Sequence, residues 1–322
     1  MLVVPWIEKY RPKRIKDIVI NEHIMKELKQ ILNNKCVNNI IITGTPGIGK
    51  TTTVRCFANE LYGPYYNNYV LEINASDDRG IKVHSDIINF CKIKICYKGE
   101  DKDKYADHKL IIMDEADNIT TKAQRLINNM MEQFKTTTKF IFTCNTTTKI
   151  IQSLQSKCKI IKYPKLCEEF IITRLTYICE KEQIKYDNEA LKLISNISSG
   201  DLRTAINILN ITYNKCTNIT RDNILDVYNI PHPNRLKEII NNCISKDTVS
   251  AINNIKTLKQ DGFCGKDIVA CMFYTIKHEI CSNIPENIKI KFIEIISQSI
   301  YNMSIGYDSN IQLYNCILQL LL

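Results

Sequence analysis

The sequence predicts an α/β fold in which a parallel five-stranded sheet domain is followed by a small helical domain and an all-α C-terminal domain. Three observations predict it. Short β-branched runs alternate with helical patterns through the first half of the chain. A glycine-rich turn joins the first strand to the first long helix. After Pro164 the strand signals stop, and apolar residues recur at helical spacing to Leu322.

The elements follow in order. Ile40-Ile41-Ile42-Thr43 is a buried strand, followed by a helix from about Lys50 to Leu61. Tyr69 to Ile73 is a second strand, and Ile81 to Ile95 reads as a helix. Leu110 to Met113 is a third strand, expected to lie beside the first, with a helix from about Thr121 to Phe134. Phe140 to Thr143 and Ile160 to Tyr163 complete the sheet. From Glu168 the apolar positions Phe170, Ile171, Leu175 and Ile178 lie on one helical face, and Leu191, Ile194 and Ile197 repeat the pattern. Pro231-His232-Pro233 then interrupts the chain, since each proline fixes φ and lacks a donor. The expected domains are residues 1–165, a helical domain at 166–229 and a C-terminal helical domain at 230–322. The last helices are rich in Ile and Leu and poor in charge, which suits a packed layer or a subunit interface.

Composition narrows the function classes. The 322 residues are 44% hydrophobic and 24% charged, a balance that excludes wholesale disorder. A net charge of +9 permits a polyanionic partner without requiring one. The apolar start, Met1 to Trp6, is broken by Glu8, Lys9 and Arg11, so no secretory leader is expected. No apolar run approaches the ~20 residues of a membrane span. The 14 cysteines contain no Cys-x-x-Cys pair, so reduced thiols in an intracellular protein are expected in preference to zinc or disulfides.

Gly44-Thr45-Pro46-Gly47-Ile48-Gly49-Lys50-Thr51 matches G-x-x-x-x-G-K-[ST] between a strand and a helix. Glycines let successive N–H groups face phosphate oxygens, and the helix N-terminus adds its positive end. Lys50 is expected on the β- and γ-phosphates of ATP, and Thr51 on Mg²⁺, with Thr52 next in the helix. In Asp114-Glu115-Ala116-Asp117, Asp114 is expected to hold the metal and Glu115 to polarise the attacking water. The strand at 69–73 falls between these motifs along the chain, as in ATPases with an inserted central strand. Asn145 ends the fourth strand, where an amide can orient water or meet the γ-phosphate. Arg203, in Gly200-Asp201-Leu202-Arg203, can reach the γ-phosphate from the helical domain.

Together these residues resemble an AAA+ ATPase. Pro5-Trp6-Ile7-Glu8-Lys9-Tyr10-Arg11-Pro12 and Asn74-Ala75-Ser76-Asp77-Asp78-Arg79-Gly80 resemble boxes of the small subunits of replication factor C, the sliding-clamp loader. Thr143-Cys144-Asn145, Leu154-Gln155-Ser156-Lys157-Cys158, Gly200 to Arg203 and the proline junction fall in that family's order. The resemblance implies a helical lid, a C-terminal collar and a hetero-pentamer with sister subunits. It also implies a clamp as partner, and primer–template DNA running through the ring. It places the protein in the nucleus or at a viral replication site. It puts Tyr10, Arg11 and Pro12 in the adenine pocket and makes Lys157 a finger acting on a neighbour's ATP.

Three positions depart from the family pattern: Lys157 where an arginine is usual, Asn128 and Asn129 where paired arginines are frequent, and Ser85 where an arginine meets DNA. Lysine keeps the charge but loses the planar fork. The remaining candidates for backbone-tracking DNA contacts are Lys82, His84 and Lys149. Two other readings are a branch-migration motor, which would add a winged helix in place of this apolar tail, and a ring subunit that binds ATP without turnover.

Overall fold

The computed structural model describes residues 4–18, 20–35, 37–76, 81–96, 104–228, 230–278 and 285–322, with side chains of 81–84 and 278 left aside. Two compact units result, Met1–Tyr213 and Asn214–Leu322.

The first unit opens with α1 (Trp6–Lys9) and α2 (Glu22–Asn34), the latter capped by Asn21, whose side chain accepts from the His23 amide. Then follow β1 (Ile40–Thr43), α3 (Lys50–Tyr62), α4 (Tyr66–Tyr69), β2 (Val70–Asn74), α5 (Ile81–Lys92) and β3 (Lys109–Asp114). Next come α6 (Thr121–Gln133), β4 (Thr138–Cys144), α7 (Gln152–Gln155) and β5 (Lys159–Lys162). Three further helices, α8 (Glu168–Lys181), α9 (Asn188–Ser198) and α10 (Leu202–Cys216), pack through Ile171, Leu175, Leu191, Ile194 and Ile208, all fully buried.

The sheet is parallel throughout, in the order β2-β3-β4-β1-β5. The expectation that the strand before Asp114 lies beside the first is therefore corrected: β4 pairs with both and separates them. β2 is an edge strand. Adjacency across a sheet is set by which helices cover which face, and the order of strands along the chain does not carry it. The strands read as continuous apolar runs because both faces are covered. Ile40, Ile42, Leu110, Ile112 and Ile141 join one core with Val54, Phe57 and Leu61 of α3. Ile41, Ile111, Met113, Phe140 and Phe142 join the opposite core with Ile127 and Met131 of α6. The helix expected to reach Ile95 ends at Lys92, where buried Lys109 donates to the carbonyls of Phe90 and Cys91.

The second unit is helical: α11 (Arg221–Tyr228), α12 (Pro233–Ile244), α13 (Thr248–Gln260), α14 (Gly265–His278), α15 (Glu286–Ile305) and α16 (Ser309–Leu321). Pro233 occupies the first turn of α12, where its missing N–H costs nothing, and His232 caps it through the Asn234 amide at 3.2 Å. Leu236, Ile255, Ile268, Met272, Ile296 and Ile317 form its core. Among the described residues no helix is long and apolar enough to cross a membrane.

His108, just before β3, is 3% exposed and its Nε2 has no hydrogen-bond partner. Burial pulls its pKa below 6.5, against the pull of Asp107 at 3.4 Å. The folded chain thus takes up this proton less readily than the unfolded one, so His108 contributes stability that is present above pH 6.5 and lost as pH falls below it. Thermal unfolding of His108→Phe should lack that acid-side decline, and parallel pH profiles of parent and variant would refute it.

Candidate active site: a phosphate-binding loop facing two carboxylates

Parallel pairing brings the carboxyl ends of β1, β3 and β4 to one edge of the sheet. From Thr43 the chain turns through Gly44–Gly49 into α3. Gly49, the residue before the helix, has φ +89, and a Cβ there would meet nothing within 4 Å. Its left-handed backbone is cheap only for glycine, and the space beside it is open to a ligand. Gly47 also has positive φ, and a Cβ there would fall 1.7 Å from Asp201 Oδ1. This close approach seats the loop against the start of α10, where the Leu202 N–H donates to the Gly47 carbonyl at 3.2 Å.

Lys50 is 9% exposed. Its Nζ donates to the carbonyls of Gly44 (2.7 Å) and Thr45 (2.8 Å) and to Asn145 Oδ1 (3.0 Å). Burial lowers its pKa, Asp114 and Asp117 oppose that, and Arg203 reinforces it. The Thr51 hydroxyl lies 3.0 and 2.8 Å from the Asp114 carboxylate oxygens. Thr143 and the Glu115 amide (3.1 Å) also donate to Asp114. A hydroxyl and a carboxylate in contact are hard oxygen donors of the kind Mg²⁺ takes. Glu115 is exposed, with φ 54, and accepts from Asn118 Nδ2 at 3.2 Å. Left-handed backbone in a residue with a Cβ is uncommon and concentrates at functional sites.

A cleft at this cluster is lined by Gly47, Lys50, Thr51, Thr52 and Arg203 together with the apolar side chains of Ile7, Leu202 and Ile206. Apolar side chains beside a phosphate loop with three cations, Arg11, Lys50 and Arg203, fit a nucleoside triphosphate.

Most sequence-derived candidates converge here: Gly44, Thr45, Gly47, Gly49, Lys50, Thr51, Thr52, Asp114, Glu115, Asn145 and Arg203 share the loop, the strand ends or the cleft. Ile48 is buried beneath the loop. Arg11 lines the cleft and its Nε donates to Thr52 Oγ1 at 3.2 Å. Tyr10 and Pro12 are not among the residues that line it. The Tyr10 hydroxyl is drawn away to Glu182 (2.6 Å), and the Pro12 carbonyl faces the Cys56 thiol. Lys157 pairs with Glu132 of α6. Lys149 is exposed, and its carbonyl accepts from Gln124 at 2.9 Å. Lys82 and His84 fall in α5, and their side chains lie outside the described residues.

Sequence reasoning missed three residues. Thr143 secures Asp114. Asp117 Oδ1 is buried without a hydrogen-bond partner. Gln124, 1% exposed, bonds the Ile119 and Lys149 carbonyls and the Ile151 amide, tying the turn after Glu115 to the segment after Asn145. A signal for Gln124 existed, since it stands on the buried face of α6 with Ile127 and Met131.

The fold and site define an AAA+ ATPase. The sequence profile of the ATPase family associated with various cellular activities matches residues 40–166, an RCF1/5-like AAA+ lid domain matches 173–213, and the replication factor C C-terminal domain matches 231–319. Over 319 residues the chain is 39% identical to a putative replication factor C small subunit of Acanthamoeba polyphaga mimivirus, covering 99% of this chain and 97% of that one. It is 36% identical to replication factor C subunit 4 of Saccharomyces cerevisiae, covering 97% and 94%. The chain belongs to the replication factor C small-subunit family. Among solved structures, the Thermotoga maritima RuvB branch-migration motor superposes with TM-score 0.55 at 16% identity, over 73% of this chain and 79% of that one, a likeness of fold alone.

Replacing Lys50 with Ala should weaken binding of a fluorescent ATP analogue tenfold or more, about 1.4 kcal/mol or above. Equal affinity in variant and parent would refute the loop's assignment.

Proposed function

We propose that this chain is a small subunit of an ATP-dependent clamp loader, which opens a sliding clamp and places it on primer–template DNA. The carrying observation is the joining of Lys50, Thr51–Asp114 and Glu115 at one sheet edge in a chain whose full-length relatives are named replication factor C subunits. Three functional parts are proposed: a nucleotide-binding domain at 1–165, a lid at 166–229 and a collar at 230–322. The apolar residues Ile290, Tyr301 and Ile305 on α15, and Ile311 and Leu318 on α16, are exposed. These support a collar that meets sister subunits. The nucleus or a viral replication site is the proposed compartment.

When bound, Mg²⁺-ATP supplies the phosphoanhydride bond and the neutralising dication. Lys50 exchanges its carbonyl partners for phosphate oxygens. Thr51 and Asp114 hold the metal, and Arg203 adds positive charge from α10. Glu115, with Asn145 nearby, accepts the proton of the attacking water. Lys149, with Lys82 and His84, is proposed to follow DNA phosphates through charge alone.

Glu115→Gln keeps the shape and removes the base. It should leave nucleotide binding intact while single-turnover hydrolysis falls ~10²-fold or more. An unchanged rate would end the role given to Glu115.

Lys157 presents a point charge where a planar fork would grip in two places. As a finger acting on a neighbour, it should leave this subunit's own ATP affinity untouched. With the other loops inactivated, Lys157→Ala should slow turnover at the neighbouring site, and Lys157→Arg should hold or raise it, within the ~10³–10⁵ range of such groups. A neighbouring rate indifferent to Lys157→Ala would make it a surface lysine paired with Glu132.

A further inference from the structure

The segment Trp6–Arg11 is held at both ends of one residue, Tyr10, by α8 and its C-cap residue Glu182. The Arg174 guanidinium, half-buried and stacked 5.0 Å over the Tyr177 ring, donates to the main-chain carbonyl of Tyr10. The Tyr10 hydroxyl donates to Glu182 Oε1 at 2.6 Å, and Lys9 Nζ reaches the same oxygen at 2.5 Å. The Tyr10 ring meets Tyr177 edge-on at 6.3 Å. Burial opposes the charge on Glu182, and the hydrogen bonds from Lys9 and Tyr10 outweigh it, holding the carboxyl below its usual pKa. Burial likewise lowers Arg174, which has spent its charge on a backbone carbonyl.

A donor to a backbone carbonyl fixes the path of the main chain, and so the direction of the next residue. That residue is Arg11, which lines the cleft and bonds Thr52 beside Thr51. The preceding residues, Ile7 and Glu8, line the cleft as well, and Trp6 packs 5.4 Å from Tyr213 of α10, the helix that supplies Leu202 and Ile206. Neither Arg174 nor Glu182 lines the cleft. Arg174 bonds residue 10 of that segment, and Glu182 bonds residues 9 and 10.

We infer that Arg174 and Glu182 are positioning residues for nucleotide binding: acting through Tyr10, they hold Ile7, Glu8 and Arg11 as the wall of the cleft facing α10. The inference rests on the nucleotide-site reading above. It assigns to α8 a share of ATP affinity that is exerted without contact to ATP. The contribution is to the ground state, because the hydrogen bonds of Asp114 and Glu115, where the chemistry is placed, go to Thr51, Thr143 and Asn118 and not to the wall residues Ile7, Glu8 and Arg11. Binding therefore changes, and the chemical step does not.

The experiment uses the full chain and a fluorescent ATP analogue, with steady-state hydrolysis alongside. Arg174→Met keeps the stem and removes the donors. Its Kd and KM should rise about tenfold, the scale of a hydrogen bond to a charged group, with kcat at saturation retained. Arg174→Lys, which can still donate once to the Tyr10 carbonyl, should recover part of the loss. Glu182→Gln and Tyr10→Phe are milder changes that decide the matter if Arg174→Met does not fold. Each should raise Kd by roughly threefold or more. Combined with Arg174→Met they should add less than the sum of the two, because all act on one residue. Parent-like Kd in Arg174→Met, or in both milder variants, overturns the inference, as does a fall in kcat at constant KM. Lys50→Ala separates the two readings: if it loses binding while the α8 variants do not, only the positioning role fails, and if it too binds normally, the nucleotide site itself is wrong.

Discussion

Parallel register between β1, β4 and β3 is the constraint on which the site depends. Thr43 stands opposite Cys144, and Met113 opposite Phe142, so Asp114 and Thr143 end side by side at the same edge. Thr143 can then donate to Asp114, and Thr43 Oγ1 can donate to the Asn145 carbonyl at 3.2 Å. A slip of one residue would turn every side chain of a strand to the other face. It would bury Asp114 beneath the sheet and move the apolar residues of one core to the other. The two cores therefore enforce the register, and the register assembles the charges. Catalytic geometry is here a by-product of packing Ile, Val and Phe on both faces of one sheet.

That dependence explains what the sequence disclosed. The strands were legible because a sheet covered on both faces demands uninterrupted β-branched runs, such as Ile40 to Thr43. The loop was legible because φ of +89 at Gly49 and the lysine after it each follow from one mechanism. The order of strands was not legible, and for that reason β3 was expected beside β1, where β4 stands. The direction of the Tyr10 side chain was not legible either, because a motif carries residue identity without direction, and Glu182, 172 positions away, decides where its hydroxyl goes. Arg174 and Gln124 escaped notice because each acts through main-chain groups, which leave no trace in side-chain patterning.

The departures from the family pattern acquire a physical setting in the structure. Lys157 and Glu132 form an exposed ion pair, and such pairs contribute little to stability. The pair thus holds the lysine weakly, and its charge remains open to a stronger anion. Asn128, on α6, has its Oδ1 buried without a hydrogen-bond partner.

Lys50 shows how the closed cluster and the ligand compete. Its ammonium already donates to two carbonyls and the Asn145 amide, so meeting a phosphate is an exchange of partners. The net gain is the difference between a carbonyl and a phosphate as acceptor, in a site where burial has already lowered the pKa of Lys50. The loop that Lys50 bonds also meets α10: Gly47 lies too close to Asp201 to admit a Cβ, and Asp201 caps α10 through the Thr204 amide at 3.0 Å. The loop and the first turn of the helix that carries Arg203 therefore share one residue, Asp201, as their point of contact.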